Sequence, residues 1–181
     1  MDDETLPDLN LLRGVVAPEI LQAAETASRK LRDVAIPHAL AGGLAVGAYG
    51  YPLTTGEVDF LVGDEAFEEH TGGLVTLKLP LIAVGGVRIN FVALDDNQQE
   101  RDQTRATIEQ PLVTHELPVV SLSLLVYMKL KAGRQKDIAD IVELLKRGRI
   151  ETDVVDRYLG EHAPNQLRRW DRVKEIAASE E

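Results

Sequence analysis

The feature that most constrains the fold is a change in hydrophobic pattern at Ser121. Before it, short apolar runs bounded by glycines and turn residues are typical of strands, as in "IPHALAGG", "EVDFLVG" and "VRINFVALD". After it, the apolar spacing is helical, as in "SLSLLVYMKLKA", "QKDIADIVELLKR", "ETDVVDRYLGEH" and "NQLRRWDRVKEIAA". The pattern predicts an α/β (α+β) fold in which a twisted mixed β-sheet is flanked by helices. We expect an α/β core with an N-terminal helix over residues 1–120 and a helical region over 121–181 that packs on it.

Local signals divide the sheet region further. Pro18 suits the first turn of a helix over residues 17–34, and Ser121 suits the N-cap of the first C-terminal helix. The pair Gly85-Gly86 between two alternating apolar runs predicts a β-hairpin. The segment "DEAFEEHT" is predicted to form a short helix capped by Asp64.

Composition excludes several classes of protein. The 181 residues carry a formal net charge of −10, which argues against broad binding to a phosphate backbone. The chain contains no cysteine, so disulfides and thiolate metal sites are excluded, and no apolar run is long enough to cross a bilayer. The four histidines show no metal-ligand spacing, and His38 is interpreted as a structural residue. We expect a cytoplasmic protein that does not contact a membrane.

A glycine pair and a pair of acids are the candidate chemistry. Gly42 and Gly43 lie between a predicted strand and a predicted helix, where backbone N–H groups can approach an anion such as phosphate. Glu57 and Asp59 project from one face of the next strand, because side chains alternate along a strand. Two such carboxylates suit Mg²⁺, which takes one or two carboxylates together with substrate phosphates. The alternatives are a tight turn that needs small residues and a solvated strand edge.

These residues resemble a known family. The stretch "ALAGGLAVGAYGYPLTTGEVDFLV" is similar to the signature of DNA polymerase beta-like nucleotidyltransferases, in which Gly-Gly precedes an acid-apolar-acid strand. Within that superfamily it is most similar to the small branch that includes AbiEii-type and MenT-type toxins. The later stretch "LLVYMKLKAGRQKDIADIVELL" resembles that branch's helical motif, Lys-Leu-x-Ala-x-Arg-x-x-Asp-x-x-Asp. The resemblance spans roughly residues 36–145.

The resemblance implies a nucleotidyltransferase fold and a role for each matching residue. Gly42, Gly43 and Lys129 would bind the nucleotide phosphates, and Glu57 and Asp59 would hold Mg²⁺. Asp137 would orient Arg134 or cap a helix, and would not contact the metal. The implied reaction is transfer of NMP from an NTP such as ATP to an acceptor hydroxyl on RNA, protein or a small molecule. A toxin role with an antitoxin-like protein partner is also implied.

Three positions depart from the branch pattern. Glu57 replaces the usual first Asp, and Leu53 stands where the branch has Arg, a loss that Arg88 is positioned to offset. The third catalytic position is Asn90, in "VRINFVAL", and an Asn side chain cannot serve as a general base at neutral pH. Asp95 and Asp96 would replace it only if the strand ended early. Two hypotheses follow, namely an active nucleotidyltransferase and a degenerate relative that binds nucleotide or a protein partner without catalysis. A third, a plain α/β domain with an accidental motif, ranks last because two ordered motifs agree with the strand pattern.

Overall fold

The structure, a computed structural model, describes residues 5–71, 74–78, 83–94, 97–109, 112–114 and 117–180. The helices are α1 (Pro18–Asp33), α2 (Gly42–Ala48), α3 (Gln98–Glu109), α4 (Leu122–Ala132), α5 (Gln135–Lys146), α6 (Thr152–His162) and α7 (Leu167–Ser179). The strands are β1 (His38–Ala41), β2 (Glu57–Val62), β3 (Phe67–His70), β4 (Leu74–Leu77), β5 (Ala83–Val84), β6 (Val87–Val92), β7 (Leu112–Thr114) and β8 (Leu117–Val119).

Six strands form one mixed sheet in the order β5-β6-β2-β1-β8-β7. β2 pairs in parallel with β6, and β1 pairs in parallel with β8, whereas the other neighbours are antiparallel. Helix α1 packs against β6 and β2, and α3 packs against β2 and β1. The predicted mixed sheet with flanking helices is therefore confirmed.

The segment "DEAFEEHT" does not form the predicted helix. Asp64–Ala66 makes one short 3-10 turn, whose N-cap is Gly63, and the chain then continues as β3. The backbone of β3 pairs with β4 in an antiparallel two-stranded sheet, with Phe67 opposite Leu77. Pairing with β4, the next strand in the chain, has overridden the helical pattern of the segment, since strand preference depends strongly on pairing partners.

The predicted hairpin at Gly85-Gly86 is confirmed. It joins β5 to β6, and both glycines have positive φ, 57° and 84°. Two consecutive positive φ angles are characteristic of the type I′ turn, whose twist matches that of the flanking strands. This turn sets the start of β6 and hence the position of Asn90 beside β2.

The helical character of the C-terminal region is confirmed. Ser121 caps α4 by accepting a hydrogen bond from the backbone N–H of Leu124 at 3.2 Å, and Gly133 ends that helix with φ 65°. Trp170 on α7 is fully buried and belongs to the same hydrophobic cluster as the sheet residues Leu40 and Phe60. The division into two regions at residue 120 stays a prediction.

His38 has a structural environment, as predicted. Its Nδ1 donates to the carbonyl oxygen of Ile36 at 2.8 Å, because a carbonyl can only accept, so Nε2 accepts from the hydroxyl of Ser28 at 2.7 Å. Burial lowers the pKa of His38, which keeps the ring neutral. Within the described ranges, no helix combines the length and the apolar character that spanning a bilayer requires.

Candidate functional site

The β2–β6 ladder brings two of the predicted site residues into contact. In its parallel register Asp59 lies beside Asn90, and Glu57 lies beside Arg88. Asn90 donates a hydrogen bond from Nδ2 to Oδ1 of Asp59 at 2.9 Å. Because side chains two residues apart on a strand share a face, Glu57 and Arg88 lie on the same side of the sheet as this pair. The structure thus places the side chains of Asp59 and Asn90 in contact.

Gly42 is the third element of this arrangement. Its φ is +62°, and a Cβ atom at this position would lie 1.9 Å from Oδ2 of Asp59. Any side chain at position 42 would therefore be strained and would also overlap the carboxylate. Oδ1 of Asp59 accepts the hydrogen bond from Asn90, and Oδ2 occupies space that a side chain at position 42 would fill. Gly42 is predicted to let a ligand approach the backbone, and it is also needed because a larger residue would overlap the side chain of Asp59.

A cavity of about 410 Å³ opens beside this carboxylate. Its volume falls in the usual range for small-molecule sites. Gly42, Asp59 and Lys129 line it, as do several apolar residues of β6 and α4, including Val92, Leu125 and Met128. Gly43, Glu57 and Asn90 are not among the described residues that line it. The structure therefore gathers three of the six predicted site residues around one cavity and places the other three on elements that adjoin it.

Helices α4 and α5 form the helical wall of the cavity, and ion pairs link them. Lys129 on α4 donates to Asp140 at 2.6 Å and to Asp137 at 3.3 Å, both on α5. Arg134 binds the carboxylate of Asp137 with two nitrogens, at 2.6 Å through Nε and 3.2 Å through Nη2. The prediction that Asp137 orients Arg134 is confirmed. Lys129, predicted to contact phosphates, reaches the cavity with only 9% of its side chain exposed.

The electrostatics of this wall favour the charged forms. Burial alone would raise the pKa of Asp137. Hydrogen bonds and positive charge from Arg134 and Lys129 lower it by more than burial raises it, so the pKa lies below its ordinary value. The hydrogen bond to Asp137 raises the pKa of Arg134, which also feels the negative charges of Asp59 and Glu57. Arg134 is therefore a cation close enough to interact with the acid pair, in addition to Arg88, which lies beside Glu57 in the β2–β6 register as the sequence indicated.

A second ion pair at the cavity is absent from the sequence prediction. Lys131 also lines the cavity, and its ammonium lies 2.5 Å from Oε1 of Glu100 on α3. The hydroxyl of Tyr127 donates to the same carboxylate oxygen. Glu100 and Lys131 are separated by 31 residues, so no local spacing links them. The i, i+4 spacing of Tyr127 and Lys131, which places both on one face of α4, is the sequence signal that accompanies the pair.

The donor set fits Mg²⁺ bound together with a substrate. Among the described residues, no three histidine or carboxylate side chains cluster in the manner of a site built by protein ligands alone. Glu57 and Asp59 are two carboxylates on one strand face, and Mg²⁺ usually takes one or two carboxylates and completes its shell with phosphate and water oxygens. Asp95 and Asp96, the sequence alternatives to Asn90, lie outside the described residues.

Comparison with solved structures finds several chains that resemble this one in structure, whereas the sequence matches no family model and no curated protein. The crystal structure of an antigenic nucleotidyltransferase-like protein from Paracoccidioides brasiliensis is similar to this chain, with a TM-score of 0.43 and 17% identity. The match covers 72% of this chain and 77% of that chain.

Proposed function

We propose that this protein is a nucleotidyltransferase that binds an NTP with Mg²⁺ in the cavity and transfers NMP to an acceptor hydroxyl, breaking the bond between the α- and β-phosphates and releasing pyrophosphate. One observation carries the proposal: the carboxylate of Asp59 accepts a hydrogen bond from Asn90 and lies against Gly42, at the wall of a cavity that Lys129 also lines. Phosphoryl chemistry needs such fixed charges, because its catalysis consists largely of positioning and charge stabilisation.

Each element of the site has a role in this proposal. Glu57 and Asp59 hold Mg²⁺, and the backbone of Gly42 and Gly43 lets the phosphates approach closely. When bound, Mg²⁺ neutralises the charge on the phosphates during transfer. Asn90 orients Asp59 through the hydrogen bond at 2.9 Å, since its amide has no basic form at neutral pH. The proton of the acceptor hydroxyl must then leave to the substrate or to water.

The acceptor and the biological setting come from the resemblance alone. RNA, a protein and a small molecule are the three acceptor classes it implies, and the net charge of −10 disfavours long contacts with RNA. A toxin role in the cytoplasm, opposed by an antitoxin-like protein partner, belongs to the same proposal. A pull-down of the natively expressed protein, with identification of its partner, addresses this part separately.

Calorimetric titration with ATP, CTP, GTP and UTP, each with and without Mg²⁺, tests the proposed site. We expect at least one NTP to bind in a Mg²⁺-dependent manner and Asp59→Asn to weaken that binding about tenfold or more, because a ligand charge is lost. Asp64→Asn, which removes an equal charge from the exposed turn after β2, should bind like the wild type. Absence of binding by every NTP would overturn the nucleotide proposal.

A second candidate function is nucleotide binding without catalysis, and Asn90 is the observation that favours it. This residue occupies the third catalytic position of the resembled family, yet its side chain is neutral and committed to Asp59. A domain with this site can hold Mg²⁺ and nucleotide while lacking a base. Tight NTP binding with no transfer to RNA, protein or small-molecule acceptors would support this candidate over the enzyme.

The thermal stability of the Asn90→Asp variant is expected to depend on Mg²⁺. It places a second carboxylate against Asp59, and neighbouring carboxylates disfavour each other's ionisation unless a cation lies between them. Without Mg²⁺ its Tm should fall by roughly 2–8 °C, and added Mg²⁺ should raise it more than it raises the wild-type Tm. Asn90→Ala removes the hydrogen bond without adding charge, so its Tm should not acquire this response. Equal Mg²⁺ responses in all three proteins would show that positions 59 and 90 do not share a cation.

A further inference from the structure

Two lysines of α4 line the cavity, and they differ in how much they present to it. Lys129 is bound to two carboxylates of α5, and 9% of its side chain is exposed. Lys131 has 30% of its side chain exposed, and it forms an ion pair with Glu100 on α3. An entering anion therefore meets the ammonium of Lys131 with less burial to overcome than that of Lys129. Lys129 is the lysine of the family motif, whereas Lys131 is the lysine that is more accessible from the cavity.

Glu100 determines where Lys131 is held. Its side chain is 4% exposed, and its Oε1 accepts hydrogen bonds from Lys131 at 2.5 Å and from the hydroxyl of Tyr127. The backbone N–H of Glu100 donates to the side chain of Asn97 at the start of α3, which fixes the first turn of that helix. A buried carboxylate needs a partner charge, so Lys131 is kept on the α3 side of the cavity.

We propose that Lys131 binds an anionic phosphate group of the cavity's ligand and that Glu100 is its positioning residue. This inference rests on the proposed function for the identity of the ligand as an NTP. Lys131 lines the same cavity as Asp59, so a triphosphate whose Mg²⁺ is held near Asp59 extends toward Lys131. Glu100 and the phosphate compete for one ammonium, because both are anions and Lys131 carries a single charge. Phosphate binding is thereby coupled to the contact between α3 and α4.

Titration with inorganic tripolyphosphate and with ATP, both with Mg²⁺, tests the role of Lys131. We expect Lys131→Met to weaken binding of both ligands by roughly tenfold to a hundredfold, the usual effect of losing a charge-assisted hydrogen bond. Lys30→Met changes the net charge equally on the exposed side of α1 and should bind like the wild type. Unchanged affinity in Lys131→Met would overturn the inference while leaving NTP binding intact. A wild-type protein that binds neither ligand would overturn the proposed function and this inference together.

Glu100→Gln separates positioning from structural support. Glutamine keeps an acceptor for Tyr127 and Lys131 but removes the competing charge, so tripolyphosphate should bind about threefold to tenfold more tightly. A purely structural Glu100 would give unchanged or weaker binding, and that result contradicts the proposal. If Lys131→Met lowers the Tm by removing the ion pair with the buried carboxylate of Glu100, the double variant Glu100→Gln/Lys131→Met should recover the Tm without recovering the affinity. Recovery of both would show that Lys131 acts through folding alone.

Discussion

The Gly42→Ala variant should be less stable than the wild type by about 2–5 kcal/mol, the sum of a left-handed backbone penalty and overpacking in a closed site. The backbone φ of +62° costs an alanine side chain energy that glycine does not incur. The added Cβ would also lie 1.9 Å from Oδ2 of Asp59, so the carboxylate must move. Urea unfolding should show the loss of stability, and titration with Mg²⁺ and NTP should show weaker binding in the fraction that folds.

Gly43→Ala is the matched control for this prediction. The nearest atom to a Cβ at position 43 is Oγ1 of Thr55 at 3.5 Å, an ordinary van der Waals distance. Position 43 lies inside α2, where alanine is favoured over glycine by up to about 1 kcal/mol. Gly43→Ala should therefore be as stable as the wild type or slightly more stable. Equal destabilisation by the two variants would mean that the contact of Gly42 with Asp59 does not constrain the site.

The acid pair was accessible from sequence because it depends on a local rule. Alternation along a strand places Glu57 and Asp59 on one face wherever that strand lies, and the structure has them on β2. Asn90 was reached through the family motif, and the parallel β2–β6 register then brought it beside Asp59. The same local reasoning failed at "DEAFEEHT", since the choice between helix and strand depended on β4, a partner that local spacing does not reveal.

The charges of the helical wall show a different limit. The motif names Lys129, Arg134, Asp137 and Asp140 together because α4 and α5 are consecutive, so their contacts are near in sequence. The motif does not reveal that the side chain of Lys129 is almost entirely buried and forms ion pairs with two carboxylates. Nor can it pair Lys131 with Glu100, whose contact depends on how α3 packs against α4. The sequence identifies which residues are charged, but helix packing determines which of those charges is accessible from the cavity.

Lys129→Met is expected to destabilise the fold by about 3 kcal/mol, the lower end of the range for removing one partner of a buried charge cluster. Asp137 would keep Arg134 as a partner, whereas Asp140 would lose the contact at 2.6 Å. For a chain of this size the loss corresponds to a fall in Tm of roughly 6–12 °C, measurable by calorimetry. Lys146→Met is the control, because Lys146 also contacts two carboxylates, at 3.3 and 3.4 Å, but on the exposed surface of α5. It should leave the Tm unchanged.

The pH dependence and a double variant identify the cause of that loss. The pKa of Asp137 in the folded protein lies below its ordinary value of 3.8. The stabilisation that the ionised carboxylate of Asp137 contributes is therefore present above about pH 4 and disappears as the pH falls through the lowered pKa. The difference between wild type and Lys129→Met should therefore shrink in acid. Adding Asp140→Leu to Lys129→Met should recover part of the stability, because the orphaned charge is removed with its partner. A loss that is independent of pH and not recovered by Asp140→Leu would mean that Lys129 stabilises the wall by packing of its aliphatic stem, not by charge.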